Sequence, residues 1–163
     1  MAKKILLTLA AFLVLIQFFQ VKKNDAKGPQ PNSIGTQFFV PGDVKSILNR
    51  ACMDCHSNYT IYPWYAKVQP IGWWINNHVN DGKRHLNFDE FTTKPPRYQY
   101  KKLDETIEMV KEGEMPLESY TWIHKDANLT QDERVALTRW AQTVMDQIKA
   151  NNPPGSFERE KED

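Results

Sequence analysis

Cys52-Met53-Asp54-Cys55-His56 is the stretch whose residue types and spacing could do chemistry, and it holds both cysteines of the chain. Two thiols separated by two residues sit one helical turn apart, where they can add across the two vinyl groups of a haem. The histidine that follows then lies beneath the porphyrin plane, with its imidazole able to coordinate iron. A redox dithiol pair and half of a zinc site are the competing chemistries. The first normally sits in a βαβ context, which this chain lacks, and the second needs two more ligands at short spacing. The expectation is therefore one covalently held haem c, with Cys52 and Cys55 as thioether residues and His56 as an iron ligand.

A six-coordinate iron needs a second ligand on the face opposite His56. Met115 follows Gly113, which ends a helical pattern, and precedes Pro116. That setting holds its backbone in an extended turn and projects the thioether, a ligand that raises the potential relative to a second imidazole. Met115 is the expected ligand, with His78 and His124 as alternatives. Met53 lies inside the attachment motif and cannot reach the far face, whereas Met109 and Met145 fit core or boundary positions on helices. His85, after Lys83-Arg84, is expected at the surface. Lys83, Arg84 and Arg97 could pair with propionates, although a solvated face accounts for each taken singly.

The elements that must position these groups follow from periodicity. Asp43 is expected to cap a helix whose inward residues Val44, Ile47, Leu48 and Ala51 lead straight into the motif. An aromatic loop follows (Tyr62-Pro63-Trp64-Tyr65). Pro70 then opens a helix with Ile71, Trp74, Ile75, His78 and Val79 on one face and Gly82 at its end. A third helix is expected over 101–112, with Leu103, Ile107 and Val110 inward. After a polar loop at 120–128, a capping box at Thr130 and Glu133 starts the last helix, whose stripe is Leu137, Trp140, Ala141, Val144 and Ile148. The fold class is all-α, about four helices with long loops.

Flanking segments are of different character. Lys3 and Lys4 precede an apolar run from Ile5 to Val21 broken only by Thr8, Gln17 and Gln20, and Lys22-Lys23 closes it. As a helix this run would reach roughly 25 Å, so residues 1–22 are expected to be a membrane anchor, with a cleaved signal as the alternative. Residues 23–37 look like a flexible linker, 38–150 the haem-binding domain, and 151–163 a disordered charged tail. The net charge of +1, from 21 basic and 20 acidic residues, implies no polyanionic partner and disfavours nucleic acid. Five Trp, six Tyr and eight Phe suit either a small core or a wall around a flat cofactor.

The order of these features resembles a class I cytochrome c domain: a helix into Cys-x-x-Cys-His, a Met-Pro turn, then Leu129-Thr130 to Trp140 opening a last helix. More narrowly it is similar to the bacterial haem-binding domain family of exported single-haem proteins. The residues carrying this are Tyr62 to Tyr65, Trp73-Trp74, His78, His85-Leu86-Asn87-Phe88, Gly113 to Leu117, Tyr120 and His124. The resemblance spans about residues 38–148. It implies Cys52 and Cys55 as thioether residues, His56 as proximal ligand and Met115 as distal ligand. The long interval between His56 and Met115 departs from a small cytochrome c.

The functional expectation is electron transfer outside the cytoplasm, on the periplasmic side of a membrane, with redox proteins as partners and no bond-making catalysis. A peroxidase-like enzyme or a redox or gas sensor with an open sixth iron position is the competing expectation.

Overall fold

A computed structural model describes residues 1–157, and among them the chain forms helices and turns without a strand. In order these are α1 (Ala2–Ile16), α2 (Ile34–Gln37), α3 (Gly42–Ala51), α4 (Met53–His56), α5 (Ile71–His85), α6 (Pro96–Glu112), α7 (Glu118–Thr121) and α8 (Gln131–Asn151), with 3-10 turns at Trp64–Lys67, Phe88–Thr93, Lys125–Ala127 and Pro154–Phe157. The all-α expectation holds, with more and shorter pieces than four helices.

The core is the α3, α6 and α8 assembly. Leu137, Trp140, Ala141, Val144 and Ile148 are all buried, packed with Leu103, Ile107 and Val110 of α6 and Val44, Ile47, Leu48 and Ala51 of α3. Met145 is in this core as well, as expected for a methionine on that face. Burying side chains of this size contributes roughly 1.5–3 kcal/mol each, so this stripe fixes α8 against its neighbours. Two polar ties set its start. Thr130 Oγ1 accepts from Glu133 N while Glu133 Oε2 accepts from Thr130 N, completing the capping box. The other Glu133 oxygen, Oε1, pairs with Arg50 at 2.7 Å, linking α8 to the turn before the cysteines. Trp140 donates its indole N–H to the Phe39 carbonyl at 3.1 Å.

Several expected boundaries move. Asp43 is not the cap of α3: Pro41 occupies that position and Asp43 lies in the first turn, where its carboxylate meets the positive end of the helix dipole. Gly82 does not end α5, which continues to His85. Helix α6 begins at Pro96, a residue pre-set for a first turn. The expected polar loop at 120–128 contains the second half of α7 and a turn that buries Ala127.

The N-terminal segments differ most from expectation. The apolar run is helical only to Ile16, about 22 Å, and among the described residues no helix is long and apolar enough to cross a membrane. The physical reason is that Gln17 and Gln20 turn their amides onto the backbone of Lys67 and Gln69 instead of continuing the helix. Residues 23–37 are not a free tether. Asn24 donates to the Ser57 carbonyl and to Thr60 Oγ1, Asp25 forms a bridge with Tyr59, Ala26 N donates to Asn58 O, and Ile34 is buried beside Phe38. At the other end, Phe157 packs edge-on against Tyr100; the rest of the expected tail, residues 158–163, lies outside the described residues.

Candidate haem site

The cysteine motif sits at a break between two helices. Helix α3 stops at Ala51, Cys52 takes a non-helical backbone (φ −127°, ψ −42°), and α4 restarts as one turn in which Cys55 N and His56 N both donate to Cys52 O. The expected continuous helix is thus kinked at the first cysteine. Asp54, between the two thiols, fastens the turn on two sides. Its Oδ1 accepts from Ile61 N at 2.9 Å and its Oδ2 from the Tyr120 hydroxyl at 2.8 Å. Burial, and then the Asp54 carboxylate, push the Tyr120 hydroxyl upward in pKa, so it stays a donor.

The His56 ring is tied to the segment that follows α5. Its Nδ1 lies 2.9 Å from the Leu86 carbonyl. A carbonyl can only accept, so Nδ1 carries the proton and Nε2 keeps a free lone pair, the tautomer that coordinates iron. Phe88 meets the imidazole edge-on at 6.4 Å between centroids. Burial lowers the pKa of His56, with the Leu86 and Gly82 carbonyls opposing, which favours the neutral ligand form. The segment gripping it is Leu86-Asn87-Phe88, part of the family resemblance, whose task no pattern in the sequence revealed. Asn87 caps the following turn through Asp89 N and also donates to Asn58 Oδ1.

Gly82 is the other hidden contributor. A Cβ on it would come within 2.6 Å of the Cys55 carbonyl oxygen. The missing side chain is what lets α5 lie against α4, a role distinct from the helix terminator inferred from sequence.

A groove opens beside the motif, lined by Asp54, Cys55, Ile61, Tyr65, Trp74, Ile75, His78, Val79, Leu117, Tyr120, Ile123 and His124. Its wall is mostly rings and aliphatic chains. The aromatic residues flanking the motif thus partly line the groove, while the core takes Phe38, Phe88, Phe91 and Trp140. The structure brings Cys55, His78 and His124 to this groove. Cys52, His56 and Met115 do not line it. Met115 lies two residues before Leu117, with its backbone N bonded to Met109 O at 3.2 Å behind Gly113, whose φ of +80° is the left-handed cap of α6. His78 Nδ1 faces the Trp74 carbonyl at 2.9 Å, leaving its Nε2 lone pair free by the same reasoning as for His56. His124 stacks on Tyr120 at 4.3 Å. The candidate propionate partners are engaged elsewhere: Lys83 donates to Asn24 Oδ1 and Arg84 pairs with Asp81 at 2.7 Å. Neither they nor Arg97 line the groove.

The thiols discriminate between chemistries. Burial, with Cys55 adding to it, pushes Cys52 up to about 12, and burial with Asp54 pushes Cys55 up to about 11. Redox Cys-x-x-Cys pairs have depressed thiol pKa values, so this pair is set against dithiol exchange. Among the described residues no group of three or more His, Cys, Asp or Glu forms a metal cluster, which leaves zinc without a donor set.

An all-helical chain with a Cys-x-x-Cys-His motif at a kinked turn, an imidazole held by a carbonyl and an apolar groove alongside has the make-up of a haem-binding protein. The chain belongs to the Haem-binding domain family, whose model matches residues 11–143. No curated protein and no solved structure matches the chain.

Proposed function

We propose that the protein is a single-haem electron carrier of the c type. Cys52 and Cys55 would hold the haem as thioethers, and His56 and Met115 would ligate its iron. It works outside the cytoplasm, on the periplasmic side of a membrane with which α1 associates, and exchanges electrons with redox proteins. The observation that carries this reading is the 2.9 Å contact from His56 Nδ1 to the Leu86 carbonyl, which leaves the Nε2 lone pair of the histidine next to Cys55 in the chain for a metal. When bound, the haem supplies a one-electron couple at its iron.

The residues of the chain do the rest. His56 is oriented by Leu86 and Phe88, the Asp54 ties to Ile61 and Tyr120 hold the cysteine turn, and the rings of the groove supply an apolar wall. Covalent attachment would keep the cofactor from being lost to the medium. The mature protein, produced in a host that exports and matures cytochromes c, should give a pyridine haemochrome of the c type and a haem-staining band on a denaturing gel. Cys52→Ser with Cys55→Ser should abolish that stain, and a double variant that still stains would refute covalent attachment.

The placement of His78 and His124 on the groove, with Met115 off it, supports the second reading, a peroxidase-like enzyme or sensor with an open sixth position. A high-spin ferric spectrum and ready binding of carbon monoxide by the reduced protein would decide for it.

A further inference from the structure

We propose that the domain itself rests on an anionic lipid surface through a patch formed by Phe18, Phe19, Trp64, Val68 and Ile71, so that α1 and the domain meet the membrane as one body. This rests on the association of α1 with a membrane put forward above and adds a second contact with a defined orientation.

The joint between α1 and the domain is welded. Gln17 Oε1 accepts from Gln69 N at 2.8 Å while Gln17 Nε2 donates to Gln69 O at 3.1 Å. Gln20 Oε1 accepts from Gln69 Nε2 at 3.2 Å, and the Trp73 indole donates to the Phe19 carbonyl at 2.7 Å. The Trp73–Phe19 bond is exposed, but Gln69 is 2% exposed, so its three bonds to Gln17 and Gln20 are largely shielded from water, where leaving them unmade would be costly. A hinge would not be built this way.

Around the joint lie apolar side chains that the haem site does not explain. Exposed Ile61, Trp74 and Ile123 line the groove and belong to it. Phe18, Phe19, Trp64, Val68 and Ile71 do not line it, yet are 80%, 69%, 77%, 43% and 44% exposed. They flank the welded residues, and Phe18 and Phe19 continue the apolar surface of α1, where Ile5, Leu6, Leu9, Phe12 and Leu13 are also exposed.

Charge selects the occupant. Lys22 and Lys67 are exposed at the patch, and the chain from Cys55 to Asn80 carries no carboxylate, although the protein has 20. Indole rings with lysines beside an apolar helix are the composition of a membrane interface, and lysines near an anionic leaflet gain electrostatic attraction.

The test is lysine acylation footprinting of the full, haem-loaded chain, with and without vesicles of phosphatidylglycerol and phosphatidylcholine, alongside flotation. Lys22 and Lys67 should lose roughly fivefold in acylation rate on the vesicles, while exposed Lys45 and Lys111 keep theirs. Trp64→Ser with Ile71→Ser should still float but recover acylation at Lys67. Flotation without protection of Lys67 overturns this proposal and leaves the association of α1 standing. No flotation overturns both. Protection that rises with protein concentration in the absence of lipid overturns it in favour of a second copy.

Discussion

The two sides of the haem site are built on different principles. On the His56 side every group is determined more than once: the imidazole by a carbonyl and a phenyl edge, the turn by Asp54, the approach of α5 by a residue without a side chain. The groove wall beside it is made of side chains held by stacking or by their own helix, such as His124 on Tyr120 and His78 on the Trp74 carbonyl. Met115 is tied by its backbone alone, at the end of α6. The first side is pre-organised to hold a ligand atom at a fixed place. The second holds its candidate ligands loosely, and in the proposed carrier the identity of the one that binds iron would tune the potential.

The largest effect should come from exchanging the groups of the open wall. If Met115 binds iron, Met115→Ala should remove the near-infrared methionine-to-ferric band while haem stays covalently attached, and His78→Ala and His124→Ala should leave that band intact. An unaltered spectrum in Met115→Ala, with loss of the low-spin signal in His78→Ala, would move the role to the imidazole that the groove already presents. On the gripped side, Gly82→Ala should cost about 1–3 kcal/mol, because its Cβ meets backbone rather than a side chain that could rotate away. Alanine gains about 1 kcal/mol of helix propensity over glycine, so the clash must win for the variant to be destabilised. Thermal melts of the mature protein check the sign, and an unchanged or raised Tm would show that α5 can retreat from α4 without loss.

What was legible in the sequence follows the same division. The last helix is legible because its stripe repeats at helical spacing and its capping box is local, and Cys52, Cys55 and His56 stand out as candidates because they are adjacent in the chain. The partners of His56 were not, since a carbonyl at residue 86 is supplied by backbone and leaves no residue-type signal. Gly82 looked like a terminator because sequence shows that a side chain is missing, not what approaches in its place. The N-terminal run was misjudged in length because Gln17 and Gln20 could be counted as minor interruptions of an apolar helix. Only their distant partners, Lys67 and Gln69, make them its end. The 23–37 segment carried the Gly and Pro punctuation of a tether, yet Asn24 and Ile34 each find a tertiary partner that outweighs local propensity.

The smallest effect concerns the thiols before the haem is attached. Their unfolded pKa is about 8.5, and in the folded chain burial raises Cys52 to about 12 and Cys55 to about 11. A raised thiol pKa means that the folded state holds more protons than the unfolded one above pH 8.5, so the slope of stability with pH is negative there. The contribution is fully present below about pH 8.5 and is lost as the pH rises towards 11–12. Apoprotein made without maturation should therefore lose denaturant resistance steadily over that range, and its thiols should alkylate at pH 8 roughly a hundredfold more slowly than free cysteine. The haem-loaded protein, whose sulfurs no longer titrate, should lack this slope. An apoprotein that alkylates as fast as an unfolded peptide would mean that the attachment turn is assembled by the cofactor and not ahead of it.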